Sequence, residues 1–273
     1  MENIIEVANL TKKFKNFVAV DNINFNVNKG EMFGFLGPNG AGKSTTIRML
    51  VTLLRPTSGK AKIAGFDIEK DQDEVRKHIG LVAEKIILYP HLTARENLNF
   101  FGQLFHLTKE QIKERSGKWV ERLHMTEWMD TQVNAFSTGM KQRINIVRAL
   151  LTEPDVLFLD EPTLGLDPQT THLIRNFICE LNRQGVSVLL TTHDMLEAEE
   201  LCKRMAIIDH GKIAALDTVE NLKKEVSGKE NPTMEDVFLR VTGEKIRDFK
   251  TKATPSAGGP GHHFGGQPAS RIR

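Results

Sequence analysis

The stretch from Gly37 to Thr45 reads G-P-N-G-A-G-K-S-T and decides the fold. Residues 37–44 match the phosphate-loop pattern G-x-x-x-x-G-K-S. The apolar run Met32–Leu36 directly before the loop is typical of a strand buried on both faces. The residues after it, Ser44–Leu54, predict a helix, and Arg55–Gly59 then predicts a turn. The strand, the loop and the helix together predict a nucleotide site in an α/β fold.

Each part of this loop is suited to holding a triphosphate. Its backbone amides can surround a phosphate, and the helix start adds about half a positive elementary charge. We expect Lys43 to contact the β- and γ-phosphates and to act catalytically by taking up developing charge, Ser44 to bind Mg²⁺, and Thr45 to reach the α-phosphate. The loop residues predicted to bind the nucleotide are Gly37, Pro38, Asn39, Gly40, Ala41, Gly42, Lys43, Ser44 and Thr45.

The composition is that of an ordinary globular chain. It has 273 residues, 40% hydrophobic and 26% charged, and a formal net charge of +2, so nothing indicates nucleic acid as a partner. No apolar run approaches the roughly 20 residues that cross a bilayer, and residues 1–15 show no secretory signal. Cys179 and Cys202 are too few for a disulfide framework or a zinc cluster, so we expect reduced thiols.

The periodicity changes along the chain. Ile4–Leu10 and the alternating Val18–Asn28 predict strands of an antiparallel β subdomain, with an irregularity near Asn22. From Thr93 to about Leu151 apolar residues recur with helical spacing, which predicts an inserted helical subdomain at 93–151.

Strands and helices alternate again beyond the helical segment. This alternation predicts a mostly parallel sheet, and with the phosphate loop it predicts an α/β P-loop NTPase fold. The elements predicted here are strands Val156–Asp160, Val186–Thr191, Met205–Asp209 and Lys212–Leu216, and helices Gln169–Asn182 and Met195–Lys203.

The end of the chain has a different composition. Residues 251–273 are rich in Gly and Pro, and such a segment buries too little apolar surface to offset its ordering entropy. We therefore predict a domain over 1–242 and a largely disordered tail over 243–273. The pair His262 and His263 in this tail is not taken as a metal site.

Two acidic residues end the strand Val156–Asp160. A buried strand with its charge only at the tip places that charge at the carboxyl ends of the strands, beside the phosphate loop. Asp160 is expected to hold Mg²⁺, and Glu161 to polarise the water that attacks the γ-phosphate. Phosphoryl transfer requires positioning and charge neutralisation more than covalent chemistry, so these groups with Lys43 form a sufficient set.

Two further residues are candidates for nucleotide contacts. His193 follows the apolar strand that ends at Thr191, which places it where it could bond a γ-phosphate oxygen. Phe14 follows the first strand and could stack on an adenine ring, a role for which Phe17 competes.

A second helix start also has the character of an anion site. The stretch Phe136–Arg143 reads F-S-T-G-M-K-Q-R, in which a Ser-x-Gly turn at Ser137 and Gly139 opens a helix. One nucleotide cannot easily use two helix starts of one subunit, but two subunits packed head to tail could each offer one. We therefore expect Ser137 and Gly139 to contact the nucleotide of a partner copy.

These motifs together resemble the ATP-binding cassette (ABC) transporter ATPases over about residues 4–242. The resemblance places Phe14 at the A-loop, Gly37–Thr45 at Walker A and Phe136–Met140 at the signature. It also places Asp160 and Glu161 at Walker B and the catalytic glutamate, residues 165–167 at the D-loop, and His193 at the switch histidine.

The chain departs from the family pattern at two positions. Met140 replaces the glutamine of the usual L-S-G-G-Q signature, and a thioether cannot replace its amide. Glu84 stands where the family usually has the Q-loop glutamine; a carboxylate remains a Mg²⁺ ligand but adds negative charge beside the triphosphate. We expect retained activity with an altered metal or pH dependence.

The resemblance implies an ATPase that uses ATP and Mg²⁺ and drives a separate integral membrane permease. It implies a homodimer or heterodimer of ATPase subunits at the cytoplasmic face of the membrane. The Ser-Thr-Gly-Met-Lys-Gln variant and residues 231–239 resemble the branch that exports drugs, antibiotics, lipids or ions. A non-transport cassette ATPase, of the DNA repair or translation type, is the alternative.

Overall fold

A computed structural model describes residues 2–226 and 229–243. The predicted disordered tail lies outside the described residues except for Gly243. Within them, ten strands form two sheets, one of four strands and one of six. The strands are β1 Asn3–Phe14, β2 Phe17–Asn28, β3 Met32–Leu36, β4 Ser58–Ile63, β5 Phe66–Asp67, β6 Ile79–Val82, β7 Val156–Asp160, β8 Ser187–Thr192, β9 Arg204–Asp209 and β10 Lys212–Thr218.

The four-stranded sheet is antiparallel and has the order β2-β1-β4-β5. The predicted antiparallel pair is therefore present, although β1 runs four residues beyond the predicted end at Leu10. The expected irregularity is also present, because Asn22 has a left-handed backbone (φ 53°) and the β1–β2 register shifts around Leu10, which pairs with Ile23. This sheet covers one flank of the phosphate loop.

The six-stranded sheet has the order β10-β9-β3-β8-β7-β6. All neighbours in it are parallel except β9 and β10, which form an antiparallel hairpin at one edge. Every residue of β3, β7 and β8 is buried, as their continuous apolar sequences require of strands covered on both faces. Because β3, β7 and β8 are adjacent and parallel, their carboxyl ends bring the phosphate loop, Asp160 and Thr192 together.

Nine helices lie within the described residues: α1 Lys43–Leu50, α2 Gln72–His78, α3 Ala94–Leu104, α4 Lys109–Arg122, α5 Thr138–Leu150, α6 Pro168–Arg183, α7 Met195–Leu201, α8 Val219–Lys224 and α9 Met234–Thr242. None of the helices in these ranges is long and apolar enough to cross a bilayer. Helix α1 ends four residues before the predicted Leu54, because the chain turns with Thr52 in a left-handed conformation (φ 63°). The predicted turn Arg55–Gly59 is also shorter, since its last two residues already belong to β4.

Helices α3, α4 and α5 occupy the segment for which helical structure is predicted. Capping boxes start α3 at Thr93 with Glu96 and α4 at Thr108 with Gln111, so each helix begins with paired backbone donors. Their apolar faces pack into the core beside the six-stranded sheet; for example, the rings of Trp119 on α4 and Phe177 on α6 meet edge to face.

Candidate active site

The phosphate loop joins β3 to α1 and packs closely against the backbones of β2 and β9. Gly42 has φ 111°, and a Cβ there would lie 2.6 Å from the carbonyl oxygen of Ala19. A Cβ at Gly37 would lie 2.3 Å from the carbonyl oxygen of Ile208. Both contacts are shorter than any real side chain tolerates, so the close approach of β2 and β9 makes these glycines necessary.

The predicted loop residues surround a cleft of about 550 Å³. Two cations and two anions border it, so its charge is balanced before a triphosphate enters. The lining residues are Phe14, Phe17, Ala19, Pro38, Asn39, Gly40, Gly42, Lys43, Ser44, Thr45, Arg48, Glu84 and Glu161. Gly37 and Ala41 belong to the loop but do not line the cleft. Phe14 and Phe17 both line it and are both exposed, so the structure does not choose between the two aromatic candidates.

Helix α1 starts without a side-chain cap, since its N-cap residue is Gly42. Its first backbone N–H groups therefore have no side-chain acceptor and face an anion-binding position. The Lys43 ammonium bends back over the loop, where it donates to the carbonyl of Gly37 at 2.6 Å and lies 3.0 Å from Oε1 of Glu161. Both side chains of this ion pair are almost fully buried.

Asp160, at the tip of β7, is fixed by two hydroxyl groups. Ser44 donates to Oδ1 of Asp160 at 3.0 Å, and Thr191 of β8 donates to the same oxygen at 2.6 Å. The structure thus brings together Ser44 and Asp160, two of the three predicted metal ligands. The third, Glu84, follows β6 and lines the cleft with its side chain exposed.

Mg²⁺ prefers oxygen ligands, and it usually takes only one or two of them from the protein because it keeps several waters and binds substrate phosphates. The adjacent hydroxyl of Ser44 and carboxylate of Asp160 meet that requirement. No group of three or more His, Cys, Asp or Glu side chains that could hold a metal occurs in the described part of the chain. These donors alone therefore suit a hydrated ion shared with a nucleotide better than an all-protein cage.

Glu161 connects the phosphate loop to His193. Its Oε2 lies 2.8 Å from Nδ1 of His193, while Oε1 faces Lys43. Its backbone is left-handed (φ 51°), and its N–H donates to the carbonyl of Thr191 at 3.0 Å. His193, predicted to meet the γ-phosphate, thus contacts the candidate base in this structure, and its half-exposed ring remains open to the solvent side.

Ser137 and Gly139 lie at the start of α5 and do not line this cleft. Ser137 is the N-cap of α5, and its Oγ accepts from the backbone N–H of Met140 at 3.2 Å. Gly139 is buried, and a Cβ there would lie 2.9 Å from two side-chain atoms of Thr170 on α6. Met140, the departure from the signature, packs partly into the core.

Two residues near the site were not predicted from the sequence. Thr191 holds Asp160 and also accepts from the backbone N–H of Glu161 through its hydroxyl at 3.3 Å. Arg48 lines the cleft one turn after Ser44. The sequence could have indicated Thr191, because a polar residue at the end of an otherwise apolar buried strand usually forms a hydrogen bond with a neighbouring residue.

Comparison with known proteins identifies the family. The family model described as ABC transporter matches residues 20–164. The chain belongs to this family. It is 41% identical over 245 residues to the linearmycin resistance ATP-binding protein LnrL of Bacillus subtilis, covering 90% of this chain and 76% of LnrL. It is also 41% identical over 242 residues to YbhF of Escherichia coli, named "Probable multidrug ABC transporter ATP-binding protein". That match covers 88% of this chain but only 42% of YbhF, so the chain spans less than half of that relative.

Solved structures agree with the family assignment. An ATP-binding subunit of an ABC transporter superposes with a TM-score of 0.80 at 28% identity, covering 88% of this chain and 99% of the other. The cassette MJ0796, solved as a dimer in a post-hydrolysis state with ADP and Pi, has a TM-score of 0.73 at 28% identity, covering 79% of this chain and 98% of the other. The predicted P-loop fold and the predicted family of this chain are thereby confirmed.

Proposed function

We propose that this ABC chain is the ATP-hydrolysing subunit of an exporter and drives a separate membrane permease. The observation that carries the hydrolytic role is the contact series from Lys43 through Glu161 to His193 beside the Ser44–Asp160 pair. These groups come from the phosphate loop, β7 and the segment after β8. Their convergence supplies a base, a cation and a metal-binding edge at one end of the cleft.

Glu161 acts as the general base in this proposal. Its carboxylate is paired with Lys43, so a triphosphate that attracts the ammonium would release Oε1 toward an attacking water. The contact of Oε1 with the Lys43 ammonium is not a well-directed hydrogen bond, so Oε1 could accept from that water once the ammonium moves to the triphosphate. His193 holds the other oxygen and so fixes the direction of the carboxylate.

Ser44 and Asp160 would hold Mg²⁺ together with the nucleotide. The ion supplies charge neutralisation and a fixed orientation for the phosphates. Glu84 is the third candidate ligand, and its negative charge distinguishes this cleft from one with a glutamine. We expect Glu84→Gln to shift the Mg²⁺ and pH dependence of turnover; identical profiles for both proteins would remove this role.

Two copies of the chain would complete each site. In this arrangement the cleft of one copy binds ATP, and Ser137 and Gly139 of the other contact it from the opposite side. Two observations support it: the Ser137 turn does not line its own cleft, and a related cassette forms dimers. Binding of ATP would then close the pair, and hydrolysis would open it.

The permease is proposed to dock at the groove between the helical segment and residues 84–92. The side chains of Tyr89 and Phe100 stack edge to face at 4.9 Å and are substantially exposed. An apolar cleft of about 200 Å³ lies close by, bordered by the exposed Leu53 and Phe105. Exposed apolar groups in such a concentration are typical of a protein contact. We expect Tyr89→Glu combined with Phe100→Glu to abolish co-purification of the permease while ATP binding persists; unchanged co-purification would refute this surface.

Export of drugs or antibiotics is the direction that the relatives favour. LnrL and YbhF are named for linearmycin resistance and multidrug transport, respectively. The non-transport alternative, of the DNA repair or translation type, finds no support among these relatives. An integral membrane protein that co-purifies with the chain would identify the cargo-selecting subunit.

The test of the hydrolytic role is Glu161→Gln, which keeps the shape of the side chain and removes the base. We expect ATP binding to persist, ATP-bound dimers to accumulate, and turnover to fall at least about 100-fold. Size-exclusion chromatography with ATP and a phosphate-release assay measure these effects. Turnover at the parental rate would show that Glu161 is not the base.

A further inference from the structure

Glu197 is a buried carboxylate for which the catalytic scheme gives no role. It lies in α7, is only 1% exposed, and does not line the nucleotide cleft. Its Oε1 accepts from the hydroxyl of Thr163 at 2.5 Å and lies 3.4 Å from Nε of Arg175. Because burial of a polar group is costly without partners, these two contacts explain how the Glu197 carboxyl group is accommodated inside the protein.

Arg175, on α6, extends these contacts in a second direction. Its Nη2 donates to Asp194 at 3.1 Å, and its Nη1 donates to the exposed Glu200 at 2.8 Å. Asp194 directly follows His193 and caps α7 by accepting from the N–H groups of Leu196 and Glu197. One guanidinium therefore holds both the buried Glu197 and the residue next to the switch histidine.

The contacts form a closed ring around the candidate base. Glu161 bonds His193; Asp194, next in the chain, bonds Arg175; Arg175 contacts Glu197; and Glu197 bonds Thr163. Thr163 returns to the start, because it lies two residues after Glu161. The ring joins the segments on either side of the Glu161 carboxylate, and none of its outer members touches the cleft.

We propose that Glu197 and Arg175 are positioning residues for hydrolysis, holding Thr163 and the His193 turn as one unit so that the Glu161 carboxylate keeps its direction. The proposal rests on the proposed role of Glu161 as the base. The physical reason is that the left-handed backbone of Glu161 is unfavourable by itself and persists only where the surrounding contacts fix it. A base displaced by a fraction of its hydrogen-bond length loses much of its effect.

The experiment uses the full chain with Thr163→Val and Glu197→Gln, alone and combined. Thr163→Val keeps the side-chain shape and removes only the donor, so it remains informative if Glu197→Gln folds poorly. We expect each single variant to lower kcat about 10-fold or more with KM for ATP and nucleotide affinity near the parental values. The double variant should lose no more than the worse single variant, since both break the same contact.

Glu199→Gln is the matched control, because Glu199 lies on the same helix and pairs with Lys223 rather than with Arg175. It should leave kcat and KM unchanged. A purely structural role of Glu197 would lower the melting temperature without changing kcat per folded molecule, and that result would overturn the proposal. Parental kcat in Thr163→Val would overturn it as well.

Glu161→Gln, measured in parallel, separates the two levels of the proposal. If Glu161→Gln hydrolyses ATP at the parental rate, the assignment of the base is wrong. If Glu161→Gln is inactive while Thr163→Val and Glu197→Gln keep full kcat, only the positioning role of Glu197 and Arg175 is wrong.

Discussion

The two serine-bearing helix starts of this chain differ in what surrounds them. Helix α1 begins at Gly42 and Lys43 without a side-chain cap and faces a cleft with its own cation, hydroxyl and carboxylates. Helix α5 begins at Ser137, which caps the helix with its own hydroxyl oxygen and lines no part of that cleft. The first start is surrounded by groups suited to holding a phosphate, whereas the second offers a hydroxyl group that does not face this cleft.

The difference is the one that the proposed division of each site between two copies requires. A serine oxygen that accepts from Met140 can still donate its proton, so capping α5 and contacting a phosphate are compatible. The first start should therefore determine affinity for ATP in the single chain, and the second should determine turnover in the pair. The following variants test this division.

The largest effect is expected at the first start. Lys43→Ala removes the ammonium that lies 3.0 Å from Oε1 of Glu161 and leaves this buried carboxylate without that counter-charge. We expect ATP affinity to fall by at least about 100-fold, since charge-assisted bonds to phosphate are lost with it. Equilibrium binding of a fluorescent ATP analogue measures this change, and near-parental affinity would contradict the assignment.

Ser137→Ala should separate binding from turnover. Loss of an N-cap costs about 1 kcal/mol of stability, and we expect ATP affinity of the single chain to stay unchanged while phosphate release falls about 10-fold or more. Thr218→Ala is the matched control, because Thr218 caps α8 in the same way, accepting from the N–H of Asn221. Equal turnover losses in the two variants would show that the effect of Ser137 is only structural.

Gly139→Ala tests whether this glycine serves packing, catalysis or both. The added methyl would overlap Thr170, so we expect a loss of about 1–3 kcal/mol in unfolding free energy. Thr170→Ala removes the two closest atoms and should recover most of that stability in the double variant, as urea unfolding would show. If turnover stays low after stability recovers, Gly139 also contacts the nucleotide; if turnover recovers too, its role is packing alone.

The smallest effect concerns the aromatic residues of the cleft. Phe14 carries Lys12 over its ring at 5.2 Å, whereas Phe17 is more exposed and has no such contact among the described residues. We expect Phe14→Ala to weaken ATP binding by about 1 kcal/mol, within the range for base–aromatic stacking. Phe17→Ala should change affinity less. The reverse order in a titration of both variants would assign the stacking role to Phe17.

Local patterns predicted the strands and turns that form most of the candidate site. The buried strands β3, β7 and β8 follow from their continuous apolar sequences, and the turn after each strand carries the residues that the site needs. The short strand β5 was not predicted, because two residues carry no measurable periodicity. The end of α1 was misplaced, since the apolar residues Val51, Leu53 and Leu54 continue the helical pattern past the point where the chain turns.

Contacts between distant segments could not be predicted. Arg175, Glu197 and Thr163 lie on three different elements, and each alone has the sequence pattern of an ordinary surface or turn residue. The fit of Gly139 against Thr170 likewise depends on how α5 and α6 pack. The pairing of His193 with Glu161 was missed for a related reason: their proximity to the phosphate loop was predicted, but which neighbour each would choose was not.

The left-handed backbone at Glu161 reverses the usual ranking of the two smallest amino acids. At most positions a protein with alanine is more stable to unfolding than the same protein with glycine, because glycine has more conformational freedom in the unfolded chain. At φ 51° the methyl group of alanine is disfavoured by about 1 kcal/mol or more. Glu161→Gly should therefore melt at a higher temperature than Glu161→Ala, and neither variant is expected to hydrolyse ATP. The opposite order of melting temperatures would show a relaxed backbone at this position. The carboxylate at this position is therefore placed by a backbone conformation that every residue with a side chain disfavours.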